Sequence, residues 1–438
     1  MGNIGKVLIL GLLFINPLLA QNLIVNDFGG KGRSFFVESK FVDGLHTICP
    51  MKLNAGIDVA DLDNALEQNT VILENEKGDI SFALGLFKPS HSNSILIIKA
   101  KNNVNLSVSS ESVSLINFEI WAGGDVRITG PGLKTNGGFF KSTGQKITIS
   151  NSGIKTGGGE IIMCYTDSIS INGEGINTSG GNMTVDGGNI KISNDGVNLD
   201  NGSCVFTCTD DINITGNGIT AENISSSGEN ISVESQGIRV ENDVIFHHVG
   251  DVEISGEGIK SNGGRIYSYG AKDMRVFNMG LRTEGGEVFL DHFGDYIISG
   301  EGIETSGGNF ILKGNGAFVG VFNNQGGSGI QTKNGSIEMV LIDKLLVSGN
   351  GIFSGEGDIS IICKGIIDVD QGGISSHNGD IYVESSSIIT LDGFNLNSNN
   401  GVKIGQGKLD TSQLISDSIV FLTEPVVGGG NVTIKTTE

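Results

Sequence analysis

Apolar residues return along this chain at two superposed periods, one of 2 residues and one of about 22. The long period emerges when the aliphatic residue after a recurrent glycine is taken as an anchor. The anchors are Leu133, Ile154, Ile176, Val197, Ile219, Ile238, Ile259, Leu281, Ile303, Ile330, Ile352 and Ile374, with Leu396 following Asn395 where glycine is expected. Their spacings are 21, 22, 21, 22, 19, 21, 22, 22, 27, 22, 22 and 22 residues. Five residues before the anchors runs a second apolar column, Ile128, Ile149, Ile171, Ile192, Ile214, Val233, Ile254, Val276, Ile298, Val347, Val369 and Leu391. Seven before lies a third, Val126, Ile147, Ile169, Ile190, Ile212, Ile231, Val252, Met274, Tyr296, Leu345, Ile367 and Ile389. The unit ending at Ile330 is missing from both, because an insertion, "NNQGG", shifts its register. Apolar positions two apart mark a strand with one buried face. A further strand is expected about seven residues after the anchor, at Ile245, Ile266, Val288, Phe310, Ile337, Ile359 and Ile381.

Three short strands per unit, joined by turns such as "SGEG" and "NGG", cannot bury their apolar faces alone, whereas stacked units bury a continuous core. The pattern therefore predicts an all-β parallel β-helix, each unit one coil and each column a stack of like residues. At about 4.8 Å between coils, thirteen coils would extend on the order of 60 Å. Propeller blades need roughly twice this period. Two residues after the anchor stand Thr135, Thr156, Thr178, Ser261, Thr283, Thr305, Thr332, Ser354, Ser376 and Ser398, and inward hydroxyls there predict an internal hydrogen-bonded ladder beside a corner. The next side chain towards the anchor points out (Lys134, Lys155, Arg239, Lys260, Arg282, Glu304), giving solvated faces.

Outside the repeats, residues 1–20 combine a lysine, an apolar run and a small residue before Gln21, as a secretory signal peptide does. Residues 21–110 are strand-rich but off the repeat register, residues 111–404 carry the coils, and residues 405–438 read as a partial coil or cap. A net charge of -21 argues against nucleic acid or an anionic membrane as partner. The cysteines Cys49, Cys164, Cys204, Cys208 and Cys363 are too scattered for a disulfide framework. A local disulfide is conceivable, and small buried hydrophobes are the expected role.

A Leu-x-x-Ala-Leu helix within Asp61–Phe82, a strand reading Asn-Thr-Val-x-Leu, a Gly-Asp-Ile hairpin, the "ILIIKA" strand from Ile95, and the "SGEGIxTSGGNxxI" coils together resemble filamentous-haemagglutinin-type surface proteins. The resemblance implies right-handed winding and an adhesin-like role: a secreted or cell-surface structural protein that attaches through a rigid β-helix to host cells, neighbouring cells or extracellular glycans. It implies neither enzymatic activity nor a cofactor, nor membrane insertion. The family's Asn-Pro-Asn-Gly-Ile-like secretion motif is absent from this sequence.

Parallel β-helices also carry polysaccharide lyases and hydrolases, whose sites need clustered carboxylates, often with calcium, beside a cleft. Asp251, Asp273 and Asp295 stand eight residues before successive anchors and are the residues such a site would use. Gly-Asp at the start of a strand is equally a common turn, and the regular unit length leaves no long loops to form a cleft. His248 and His292 share a column two coils apart, too far to share a proton or metal, and His247 is expected to point inward. Two other functions remain open: a calcium-dependent lyase or hydrolase, and a subunit of a surface filament joined end to end.

Overall fold

The computed structural model describes residues 22–421 except 27–33, 35–36, 43–44, 52–54, 68–69, 88–93, 111–114, 131, 152, 279, 301, 315–317, 323–328, 349–350, 370–373, 386, 392–395, 399–401, 405–407 and 412–418. Residues 1–20, where a signal peptide is expected, and "NNQGG" lie outside the described residues. Nearly all described elements are strands, paired almost throughout in parallel, with coils about 22 residues apart: a parallel β-solenoid, as the repeat predicts. The chain divides into two compact units, Met1–Asn182 and Met183–Glu438.

In the first unit the hairpin Val37–Val42/Leu45–Pro50 is antiparallel. Every other pairing described there is parallel. Thr70–Asn75 stacks on Ser94–Ala100, which stacks on Ile116–Ala122 and then on Phe140–Ile149. Coil stacking thus starts well before residue 111. The helix Val59–Leu66 holds the Leu-x-x-Ala-Leu segment. Asp58 Oδ1 accepts the Ala60 N–H at 3.0 Å as its N-cap, and Val59, Leu62 and Leu66 face the core. The Gly-Asp-Ile segment corrects an expectation, because it is a corner and not a hairpin. The strands either side of it, Thr70–Asn75 and Ile80–Phe87, each pair with the following coil, on Ser94–Ala100 and Val104–Ser110. A chain that turns a corner meets its neighbour one coil later, whereas a hairpin pairs with itself.

In the second unit, a coil such as Val252–Ile254, Ile259–Ser261, Ile266–Gly270 lies directly on the next, Met274–Val276, Leu281–Thr283, Val288–His292. Ile259 pairs with Leu281 and Ile254 with Val276, so the columns seen in the sequence are stacks in space. The column residues from Ile190 to Val383 whose side chains are described are almost wholly buried. The unit that the insertion obscured also joins: Val319 and Val321 pair with Tyr296 and Ile298. Towards the C-terminus, Lys408–Thr411 stacks on Ile388–Leu391, and Ile419–Phe421 on Val402–Ile404. All five cysteines are free thiols; Cys204, Cys208 and Cys363 are buried and Cys164 is exposed. Among the described residues no helix is long and apolar enough to cross a membrane, which leaves β-barrels unaddressed.

One coil departs from the expected parity. Val244, not Ile245, pairs with Ile266 and belongs to the inward column. The connection from Ile238 to Val244 is one residue shorter than that from Ile259 to Ile266, so a fixed offset from the anchor lands on the wrong face. His247 is misplaced by the same slip: it is exposed, and His248 is buried.

The corners decide why glycine and threonine recur. Thr283 Oγ1 donates to the Gly286 carbonyl at 2.6 Å, and Thr156, Thr178 and Thr332 do the same to the carbonyl three residues on. Serine at this position works differently. Ser354 and Ser376 donate to the corner carbonyl of the preceding coil, at 3.1 and 2.9 Å, and accept the N–H three residues on. The predicted ladder is therefore a set of hydroxyl-to-backbone staples, some closing a corner within the coil and some joining it to a neighbouring coil, with Ser261 doing both. The two glycines of a corner are not equivalent. A Cβ on Gly286 would lie 1.8 Å from the Gly264 carbonyl oxygen of the coil below, while a Cβ on Gly285 would meet nothing within 4 Å.

Gly286→Ala should therefore lower stability by about 2–4 kcal/mol, the range of a substitution forced against backbone. Gly285→Ala should change it by no more than about 0.5 kcal/mol. Thermal and denaturant unfolding of the two variants checks this, and equal effects would refute the stacked-corner account.

Candidate binding face

The aspartates singled out in the sequence do come together on one column of the second unit. Asp273 N–H donates to Asp251 Oδ1 at 3.2 Å, and Asp295 N–H to Asp273 Oδ1 at 2.9 Å. The series begins earlier: Asp251 N–H donates to Asn230 Oδ1 at 2.7 Å, and Asn230 Nδ2 to Asp211 Oδ1 at 2.7 Å. Asn230, Asp251 and Asp273 thus each cap the backbone of the coil stacked on them, and Asp211 holds the Asn230 side chain. Asparagine serves as well as aspartate, so the column needs an acceptor and not a charge. Arg275 adds compensation, 2.8 Å from Asp273 and 3.8 Å from Asp251. The first unit repeats the device with Asp79, Asn103 and Asp125. Among the described residues no three His, Cys, Asp or Glu side chains are grouped to hold a metal ion. Asp273→Asn, which keeps the acceptor, should leave the unfolding midpoint nearly unchanged. Asp273→Ala should cost about 1–2 kcal/mol by leaving the Asp295 N–H without its partner. If Asn proved as costly as Ala, charge would be the column's purpose.

Inside the same coils sit two histidines. Gly228, His248, Gly270, His292 and Gly314 follow one another in a single column, so small and large residues alternate from coil to coil. The gap left by Gly270 is filled: a Cβ there would lie 2.1 Å from His292 Nδ1. His248 Nε2 shares a hydrogen bond with Ser226 Oγ at 2.9 Å, and His292 Nε2 with Ser268 Oγ at 2.8 Å. Nδ1 of both has no partner. These are packing residues whose serine sits one coil below. Burial pushes both imidazoles down to about 4, with the neighbouring His292 and His247 adding to the effect on His248.

The sign of that shift sets a pH dependence. Well above pH 6.5 both rings are neutral, folded or unfolded. As pH falls from 6.5 to about 4 the unfolded chain binds protons that the folded chain refuses, so stability drops, by on the order of 3 kcal/mol per histidine. Below about 4 these groups contribute no further loss. Denaturant unfolding at pH 7 and pH 4.5 should show the drop, and the double variant Ser226→Ala/His248→Leu should be flatter across this interval. An equal slope in the variant would exclude His248 as a cause.

The sequence reading missed the outer face of the third strand. Ile245, Tyr267, Phe289 and Ile311 align on successive coils, and His247 pairs with Tyr269 beside them. The His247 and Tyr269 rings stack, 4.8 Å apart and 2° from parallel. Tyr269 packs against Phe289 at 5.4 Å, and Tyr267 meets Phe289 edge-on at 5.9 Å. Cations border the cluster. Arg265 lies 5.0 Å from the Tyr267 ring and Lys313 5.2 Å from Phe289. Asp243 anchors Arg265 through a 2.8 Å bond, which holds the Asp243 carboxyl below its usual range. In a chain with only 6% aromatic residues, this outward concentration stands out. The signal was available in the outward columns, but the parity slip at Ile245 and His247 broke it.

No known protein family, curated protein or solved structure matches this chain.

Proposed function

We propose that this protein is an exported, adhesin-like structural protein of the filamentous-haemagglutinin type that attaches to cell-surface or extracellular glycans without turning them over. The observation that carries this reading is the aromatic face of Tyr267, Tyr269, Phe289 and His247, rimmed by Arg265 and Lys313. Aromatic rings offer large contact area at little entropic cost, with polar edges for hydrogen bonds. The strands beneath them are held by ladders on both sides, so the rings are pre-positioned, which lowers the cost of binding. Of the aspartates that a lyase or hydrolase would use, Asp251 and Asp273 are engaged by backbone N–H groups and Arg275. Export and surface location are part of the same proposal and rest on the leader-like first twenty residues.

Binding of the purified mature chain to whole cells and a glycan panel, with and without a calcium chelator, tests it. Saturable, chelator-insensitive binding is expected. The triple variant Tyr267→Ala/Tyr269→Ala/Phe289→Ala should weaken it at least tenfold while leaving the far-ultraviolet spectrum unchanged. Release of sugar fragments, or binding untouched by the variant, would overturn the reading.

A further inference from the structure

The first unit carries a groove of about 550 Å³ on its outer face, within the size range of small-ligand sites. Its position follows from register. Glu74, Lys99 and Trp121 occupy one outward column on successive coils, and Ile97 and Glu119 occupy the next outward column. Lys101 lines one end. Trp121 is half-exposed, and its indole N–H donates to Glu119 Oε1 at 2.9 Å, which fixes the plane of the ring.

We propose that this groove is a carbohydrate subsite that takes a short neutral oligosaccharide, one pyranose ring lying on the Trp121 indole. The apolar C–H face of a pyranose matches a flat aromatic surface, and its ring of hydroxyls matches planar carboxylates and ammonium groups. Glu119, Glu74 and Lys99 supply those groups around the indole.

Other ligand classes fit less well. An extended peptide would add to a free sheet edge. The strands under the groove, Ser94–Ala100 and Ile116–Ala122, are paired on both sides. A polyanion meets three glutamates against two lysines, on a chain of net charge -21. An acyl chain would leave these charges desolvated and unpaired. This proposal shares its ligand class with the proposed function but concerns residues of the other unit.

Trp121 is the sole tryptophan of the chain, so intrinsic indole emission reads this site alone. The experiment titrates the full chain with chitotriose, cellotriose and mannotriose, with a heparin-derived oligosaccharide as anionic control, following emission and heat together. A saturable emission change with at least one neutral trisaccharide is expected, and none with the anionic one. In the Tyr267→Ala/Tyr269→Ala/Phe289→Ala background, Trp121→Ala should abolish the remaining calorimetric signal. Glu119→Gln keeps an acceptor for the indole N–H and should weaken binding about tenfold, equivalent to about 1.4 kcal/mol. Silence with all three neutral sugars, binding only of the anionic sugar, or unchanged heat in Trp121→Ala would overturn the proposal. Binding here that survives the Tyr267/Tyr269/Phe289 triple variant would stand apart from the fate of the aromatic face.

Discussion

The structure depends on one constraint: no coil can bury its own apolar face, so each must lie in register on the next. Backbone ladders between successive coils give direction and spacing, but they would tolerate a sliding register. The inward columns do not. Ile259 over Leu281 and Ile254 over Val276 fill the interior with like on like, and a one-residue slip would turn each strand's apolar set to solvent. Stability in such a stack is close to a sum of coils and coil interfaces. Hence every coil must satisfy the same rules, and the sequence repeats.

Corners convert that constraint into composition. Where the backbone of one coil passes against the carbonyl of the coil below, as at Gly286 over Gly264, no side chain fits. The inward Thr or Ser beside the corner gives its hydroxyl to a corner carbonyl that would otherwise be buried without a partner. Asx side chains do the complementary work for N–H groups at the strand starts. A high content of Gly, Asn, Asp, Ser and Thr, which in a less periodic chain would suggest disorder, is here the consequence of satisfying backbone at every turn of the solenoid.

With the interior and the corners so restricted, the outward positions are where the chain is free to differ. Several carry exposed charges in pairs such as Lys155–Glu174 at 2.8 Å and Lys260–Glu284 at 3.2 Å, which contribute little to stability. The aromatic face of the second unit and the Trp121 groove of the first are exceptions to that solvated surface. Both are built from outward columns, one residue per coil, so neighbours in space are about 22 residues apart in sequence. Binding surfaces of this kind are assembled by register, and no local motif encodes them.

The solenoid is legible in the amino-acid order, because period, anchors and inward columns are all consequences of one coil repeated, and repetition is visible without coordinates. So is the short helix before Thr70, with its Leu-x-x-Ala-Leu segment. Features that depend on the exact length of a turn, or on the partner one coil away, become visible only in the folded stack. The parity of Val244 and His248 turns on one missing residue after Ile238. The Gly-Asp-Ile corner looks like a hairpin until its strands are seen to pair with the next coil. The roles of Asp251 and Asp273 are set by N–H groups one coil on. Residue type gives carboxylates in a row; only the stack shows that these two already serve backbone donors, and that the aromatic rings converge on another strand.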